Sequence, residues 1–235
     1  MTKILCIIPA RSGSKGIKNK NIKMFNDKPL IIWTIEQALK SKYEMKIIVS
    51  TDSSEYKSIC NEYYPGLVPF LRPSEISDDL STDFEFLNHA TQWLKNNESY
   101  TSDIILHLRP TSPLRKVEDI DKALDIFIKK RNKYDSLRSV VEVNKTPFKM
   151  YTIDNNNLKP LFSNLNGIKE PFNKCRQELP KAYLHNGCID ILNYSTLSIK
   201  EGTISGNNIY PFIMNENDNI DIDTNEDWNL LVKNR

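Results

Sequence analysis

A chain of 235 residues, 39% apolar and 26% charged, has the size and composition of one folded α/β domain with an elaboration, and disorder is excluded. Its net charge of +2, with no basic stripe interleaved with aromatics, argues against a nucleic-acid partner, and no apolar run approaches the ~20 residues of a membrane span. The four cysteines make no C-x-x-C pair, zinc spacing or disulfide framework, and the short first apolar run ends in Pro-Ala-Arg, so a reduced, cytoplasmic protein is expected.

The run Ile4–Ile8 reads as a strand buried on both faces. It empties into a loop in which Ser12, Gly13 and Gly16 allow close backbone approach, while Arg11, Lys15, Lys18, Lys20 and Lys23 supply positive charge. The first 26 residues carry six basic side chains and no acidic one, so the charge is local. At the carboxyl end of a first strand this predicts a triphosphate-binding loop. The fingerprint G-x-G-x-x-G is absent, and G-x-x-x-x-G-K-[ST] fails because Gly13 and Gly16 stand three apart and Ile17 follows. A long loop and its side chains are therefore expected to hold the phosphates.

A helix is predicted from Pro29, in its first turn, to about Ser41, followed by a strand over Lys46–Ser50 that runs into Thr51-Asp52. A helix over Ser54–Tyr63, a strand over Leu67–Leu71 and a loop over Arg72–Ser81 come next. Asp83–Lys95 is helical, with Phe84, Leu87, Thr91 and Leu94 on one face. Ile104–Leu108 is a strand that feeds Arg109-Pro110-Thr111-Ser112-Pro113-Leu114-Arg115, a rigid cationic loop on the same sheet edge as Arg11, which makes Arg109 a nucleotide-binding candidate. Val117, Ile120, Leu124, Phe127 and Ile128 mark a further amphipathic helix. This alternation predicts right-handed crossovers and a mainly parallel sheet.

From Ser136 the pattern changes. Val140–Val143, Lys149–Ile153, Ile189–Leu192 and Ile209–Met214 read as strands, and an insertion over 144–182 is expected to cover the active site or serve a dimer partner. Near the end comes Asn219-Ile220-Asp221-Ile222-Asp223-Thr224, followed by a helix to Lys233. If Ile220–Asp223 is extended, Asp221 and Asp223 share a face and can hold one hard cation, while Thr224 and Asp227 read as helix-start residues. A calcium loop is excluded: counted from Asp221, Glu226 stands where glycine is required and Val232 where the last glutamate belongs. Arg176 suits an anionic substrate or a surface salt bridge. His89, His107 and His185 share no metal-ligand spacing and read as hydrogen-bonded structural residues.

In order along the chain, Ile8-Pro-Ala-Arg-Ser-Gly-Ser-Lys-Gly16 with Lys20-Asn21, Ser50-Thr-Asp52, Arg72-Pro73, Pro110-Thr-Ser-Pro-Leu-Arg115, Arg176-Gln-Glu-Leu-Pro180, Asn186-Gly187 and Asp221-Ile-Asp223 resemble the acylneuraminate cytidylyltransferases, the CMP-sialic acid and CMP-legionaminic acid synthetases. The resemblance implies a nucleotide-diphospho-sugar transferase (Rossmann-like) α/β fold, CTP and Mg2+ as requirements, a nonulosonic acid as acceptor, and a homodimer. It implies that Arg11, Lys15, Lys20 and Asn21 hold the nucleotide, Arg11, Lys20 and Asp221 serve catalysis, and Asp221 with Asp223 binds the metal. Arg176 with Gln177 would orient the sugar acid, and Asn186 and Gly187 would line its pocket. In such a reaction the anomeric hydroxyl attacks the α-phosphorus of CTP and pyrophosphate leaves. Two stretches depart from the sialic acid pattern: Arg109 stands where that pattern has Gln before Pro-Thr-Ser-Pro, and Cys188-Ile189-Asp190-Ile191 follows Asn-Gly where that pattern has a strand bearing an aromatic. Both resemble the legionaminic acid branch. Open beside this reading are a nucleotidyltransferase of the same fold with another sugar or nucleotide, and a non-catalytic nucleotide-binding protein.

Overall fold

The computed structural model describes residues 2–199, 203–215 and 221–233. In chain order the elements are β1 (Ile4–Pro9), β2 (Met24–Phe25), β3 (Lys28–Pro29), α1 (Leu30–Leu39), β4 (Lys46–Ser50), α2 (Ser54–Tyr63), α3 (Asp83–Glu98), β5 (Ile104–His107) and α4 (Val117–Lys130). Then come β6 (Ser136–Glu142), β7 (Tyr151–Asp154), β8 (Asn157–Pro160), β9 (Asn164–Leu165), β10 (Ile168–Lys169), β11 (Tyr183–Asn193), α5 (Tyr194–Ile199), β12 (Ile209–Met214) and α6 (Asn225–Lys233). Among the described residues the central sheet has the order β12-β6-β11-β5-β1-β4. Every pairing in it is parallel except those of β11, which runs against both β5 and β6.

The sheet is buried on both faces, and β1 shows why its sequence is a continuous apolar run. Ile4, Cys6 and Ile8 pack on one face with Ile31, Ile35, Leu124 and Phe127 of α1 and α4. Leu5 and Ile7 pack on the other with Phe86, Leu87 and Leu94 of α3. Helix starts follow local chemistry. Ser53 accepts from Tyr56 N (3.3 Å), and the Thr82 N–H donates to Glu85 Oε2 (2.6 Å). Asp227 accepts from the Thr224 N–H (2.7 Å) while Thr224 Oγ1 accepts from the Asp227 N–H (3.2 Å), as those helix-start residues were expected to do.

Several expectations need correcting. Leu67–Leu71 is not a strand: the segment lies beside β4 through Val49 N to Leu67 O and Arg72 N to Thr51 O (both 2.7 Å), but Pro69 has no N–H to continue a ladder. Pro29 caps α1 from an extended conformation (φ −58°, ψ 146°), because it closes the small pairing of β2 with β3 before the helix begins. β6 begins four residues before the expected Val140, and β11 is far longer than Ile189–Leu192. β11 carries a register shift between His185 and Asp190, where Gly187 adopts φ +65°. Ile220, expected to begin the extended metal segment, lies outside the described residues, and 221–223 carry no regular secondary structure. Between β6 and β11, the hairpins β7–β8 and β9–β10 and short 3-10 turns stand mostly exposed.

Candidate active site

The carboxyl ends of the parallel strands β1, β4 and β5 open on one cleft of about 350 Å3, walled by Arg11, Lys15, Gly16, Lys20, Asn21, Arg72, Asp83, Arg109, Thr111 and Asp223. This is the edge at which open α/β sheets bind ligands. The loop after β1 is shaped by its neighbours. Asp52, at the end of β4, accepts from the Ser12 N–H (2.8 Å) and the Ser12 hydroxyl (2.7 Å), and buried Asn21 donates to Arg11 O (3.1 Å). Ser12, expected to contact nucleotide, has both its donors on Asp52, which shapes the loop. Arg11 and Lys15 meet on one carboxylate, Asp79, at 2.8 and 2.5 Å. Hydrogen bonds from Lys15 and then Arg11 hold that carboxyl below the usual range. Two cations converging on one carboxylate make a receptor for an anion.

The acidic segment docks against this loop. Ile222 is fully buried with Ile17, Phe25, Leu30, Trp228 and Leu231, and its N–H donates to Thr111 O (2.9 Å). Burying Ile222 sets Asp221 and Asp223 on either side of it. Lys20 donates to Ile222 O (2.6 Å) and to Asp223 Oδ1 (2.8 Å), so the lysine expected on phosphate also ties the two segments together. Gly16 comes so near that a Cβ on it would stand 2.1 Å from Asp223 O. The carboxyl of Asp221 is raised above its ordinary range, first by desolvation and also by the charge of Asp223. Two carboxylates two residues apart, one reluctant to ionise, are of the oxygen-donor type that a hard divalent cation takes. Among the described residues no group of three or more His, Cys, Asp or Glu is placed to hold a metal.

Arg109 is fixed from three sides. It donates to Asp190 Oδ2 (2.7 Å), Gly187 O (3.2 Å) and Asp83 Oδ2. The two departures from the sialic acid pattern, Arg109 and Asp190, are therefore one ion pair. Burial pushes the Asp190 carboxyl up, but the hydrogen bond from His185 and the charge of Arg109 outweigh it and leave the group below its ordinary range. His107, fully buried beside this pair, is pushed down to about 3 by desolvation first and Arg109 second, and stays neutral. Buried Arg115 donates to Arg109 O (2.7 Å), Cys188 O (2.8 Å) and Gln37 Oε1 (2.9 Å), which holds the Pro110–Ser112 loop to β11 and α1.

Arg72 had no role assigned from sequence. It is only 5% exposed, donates to Ser50 O (2.6 Å) and Ser50 Oγ (3.1 Å), and lies 4.8 Å over the Phe86 ring. Desolvation brings it down to about 10, still charged at neutral pH, and it walls the cleft. Its signal was the Arg72-Pro73 pair. Asp79 and Asp83 were hidden in a loop and a helix start, where carboxylates have ordinary local uses. Gly187 joins the site: a Cβ there would stand 3.5 Å from Arg109 Nη1 and 3.8 Å from Asp221 Oδ2. Asn186 does not line the cleft, because its Oδ1 accepts from Ser139 Oγ (2.6 Å) and Cys188 N (3.2 Å). Arg176 and Gln177 stand apart from the cleft as well, in a separate depression with Glu142, Thr146 and Lys181. The register shift in β11 turns Asn186 inward, and Arg176 is carried by the exposed segment between β6 and β11.

The family profile described as "Cytidylyltransferase" matches residues 5–166. The N-acylneuraminate cytidylyltransferase of Escherichia coli O18:K1:H7 is 35% identical over 231 residues, covering 98% of this chain and 52% of that protein. The chain thus spans about half the length of that relative. The CMP-N,N'-diacetyllegionaminic acid synthase of Legionella pneumophila is 35% identical over 238 residues, covering 98% of this chain and 95% of that one. A solved structure, CMP:2-keto-3-deoxy-manno-octonic acid synthetase complexed with CTP, superposes with a TM-score of 0.69 at 16% identity, over 99% of this chain and 98% of that one, a likeness of fold.

Proposed function

Because the chain belongs to the cytidylyltransferase family, we propose that it transfers CMP from CTP to the anomeric hydroxyl of a nonulosonic acid, of legionaminate type or N-acetylneuraminate, with release of pyrophosphate. The observation that carries this reading is the meeting of Arg11, Lys15 and Lys20 with Asp223 across one cleft at the carboxyl ends of parallel strands. The alternative of a nucleotide-binding protein without chemistry has less support, because phosphate binding alone does not call for Asp221 and Asp223 at the same place. A cytoplasmic location is part of the proposal; among the described residues no helix is long and apolar enough to cross a membrane.

In this reading Arg11 and Lys15 leave Asp79 for the β- and γ-phosphates and stabilise charge growing on the leaving pyrophosphate. Lys20 keeps the 221–223 segment against the loop. Arg72, clamped by Ser50 and Phe86, presents its guanidinium to the nucleotide from the α3 side. Asp221 and Asp223 would hold Mg2+, which when bound would supply electrophilic stabilisation of the phosphoryl oxygens. The sugar approaches from the side of Gly187, which abuts Asp221 and Arg109.

The test is pyrophosphate release with each of four nucleoside triphosphates against N-acetylneuraminate, legionaminate, pseudaminate and 3-deoxy-manno-octulosonate. CTP-specific release with a nonulosonate is expected. Turnover with UTP or GTP and not CTP would sink the assignment.

A homodimer belongs to the same proposal. In the hairpin β7–β8, Ile153 lies directly opposite Leu158 and Tyr151 opposite Pro160, and Ile153 and Leu158 are 77% and 63% exposed. Paired apolar residues on one face of an exposed hairpin need a cover, and a second copy of the chain supplies one. A dimer would also give Arg176 and Gln177, which face no part of their own cleft, a neighbour's cleft to face. The double variant Ile153→Asp, Leu158→Asp is expected to sediment as a folded monomer where the wild type sediments as a dimer. A dimeric double variant, or a monomeric wild type, would remove this interface.

A further inference from the structure

Resting on the transferase reading, we infer that His185, oriented by Asp190, is the general base that takes the proton from the attacking hydroxyl of the acceptor sugar. The register shift in β11 brings these two residues, five apart in sequence, within hydrogen-bond reach: His185 Nε2 lies 2.9 Å from Asp190 Oδ1. Asp190 is 3% exposed and its other oxygen is held by Arg109, so it is an ionised acceptor. A carboxylate that only accepts requires the proton of neutral His185 to sit on Nε2. That leaves the lone pair on Nδ1, on a side chain that is 32% exposed. A buried carboxylate that sets the tautomer of an imidazole and leaves its far nitrogen open to a substrate is the arrangement of a general base.

The surroundings support the assignment. Across β6, His185 faces apolar Val140, while Arg138 stands opposite Asp190, so Asp190 is the charged group on the imidazole, with Arg109 and His107 beyond it. Gly187, two residues on, abuts both Arg109 and Asp221. The carboxylates around the cleft have other duties: Asp79 on Arg11 and Lys15, Asp83 on Arg109, Asp52 on Ser12. In the step, the hydroxyl oxygen forms its bond to the α-phosphorus as its proton passes to Nδ1. The bond from that phosphorus to the bridging oxygen breaks, and pyrophosphate leaves with the electron pair. The imidazolium, stabilised by Asp190, returns its proton to water.

Two variants test this, His185→Gln, which keeps a donor for Asp190, and His185→Ala. Wild-type turnover is established first with CTP and the preferred nonulosonate; its absence overturns both the function and this role. Both variants are expected to melt near the wild type and bind CTP within about twofold, while kcat falls on the order of 10²–10⁴. Added imidazole is expected to restore part of the His185→Ala rate and none of the rate lost in a Gly16 variant. A His185→Gln enzyme within about threefold of wild-type kcat overturns the assignment. So does a loss that falls on CTP affinity, or one that imidazole leaves untouched.

Discussion

Gly16→Ala is expected to reduce CMP transfer by on the order of 10²–10³ while leaving the domain folded. The effect does not come from backbone strain at residue 16, since the Cβ meets one obstacle alone, Asp223 O at 2.1 Å and its carbonyl carbon at 3.3 Å. Backbone cannot rotate away as a side chain can. The loop or the 221–223 segment must shift by an ångström or more, and either movement parts Lys20 from Asp223 and Ile222 O. Because Gly16 is an exposed loop residue outside the sheet and its helices, melting is expected to change little. The measurement is a steady-state rate with CTP and the preferred sugar beside a thermal melt. Full activity in Gly16→Ala would mean that the close approach of the two segments is not needed for the chemistry.

The second large effect is expected at the acidic pair. Asp221→Asn and Asp223→Asn each keep side-chain shape and remove a charge from the pair proposed to hold Mg2+, and turnover with Mg2+ should fall at least as far, with weakened Mg2+ binding in a direct titration. The two variants should differ in stability. Asp221 has its carboxyl raised on folding, so the fold is most favoured with the group protonated, and that advantage is lost as pH rises through the raised value. Asparagine cannot ionise, so without metal Asp221→Asn should melt at or above the wild type at neutral pH. Asp223→Asn loses its charge contact with Lys20 and should gain nothing. Wild-type activity in both variants would refute the metal assignment.

These expectations depend on features of unequal legibility. The run Ile4–Ile8, the cationic loop after it and the amphipathic spacing of Ile120, Leu124 and Phe127 are local patterns, and each became the element its period implied. Leu67–Leu71 looked equally strand-like, but Pro69 left it with contacts at its ends only. Lys20 and Arg109 were visible as cations of the site, yet nothing in their neighbourhoods announced that they would be claimed by Asp223, Asp83 and Asp190. The partner of Ser12 was equally hidden, since Asp52 reaches it only when β4 lies alongside β1.

By itself the sequence determined the alternation of β1, α1, β4, α2, α3, β5 and α4, the placing of a cationic, glycine-containing loop after β1, and the presence of two carboxylates near the end of the chain. Hydrophobic period and loop composition act over a few residues, and a strand buried on both faces leaves its loop at the sheet edge wherever its neighbours lie. Only the tertiary structure decided which charges meet. Burial of Ile222 brings Asp223 to Lys20 from 203 residues away, and reversal of β11 with its register shift brings Asp190 to Arg109 across 81 and turns His185 onto it. Such pairs follow from strand order, direction and register, which long-range packing selects, and not from any property of the residues' immediate neighbours.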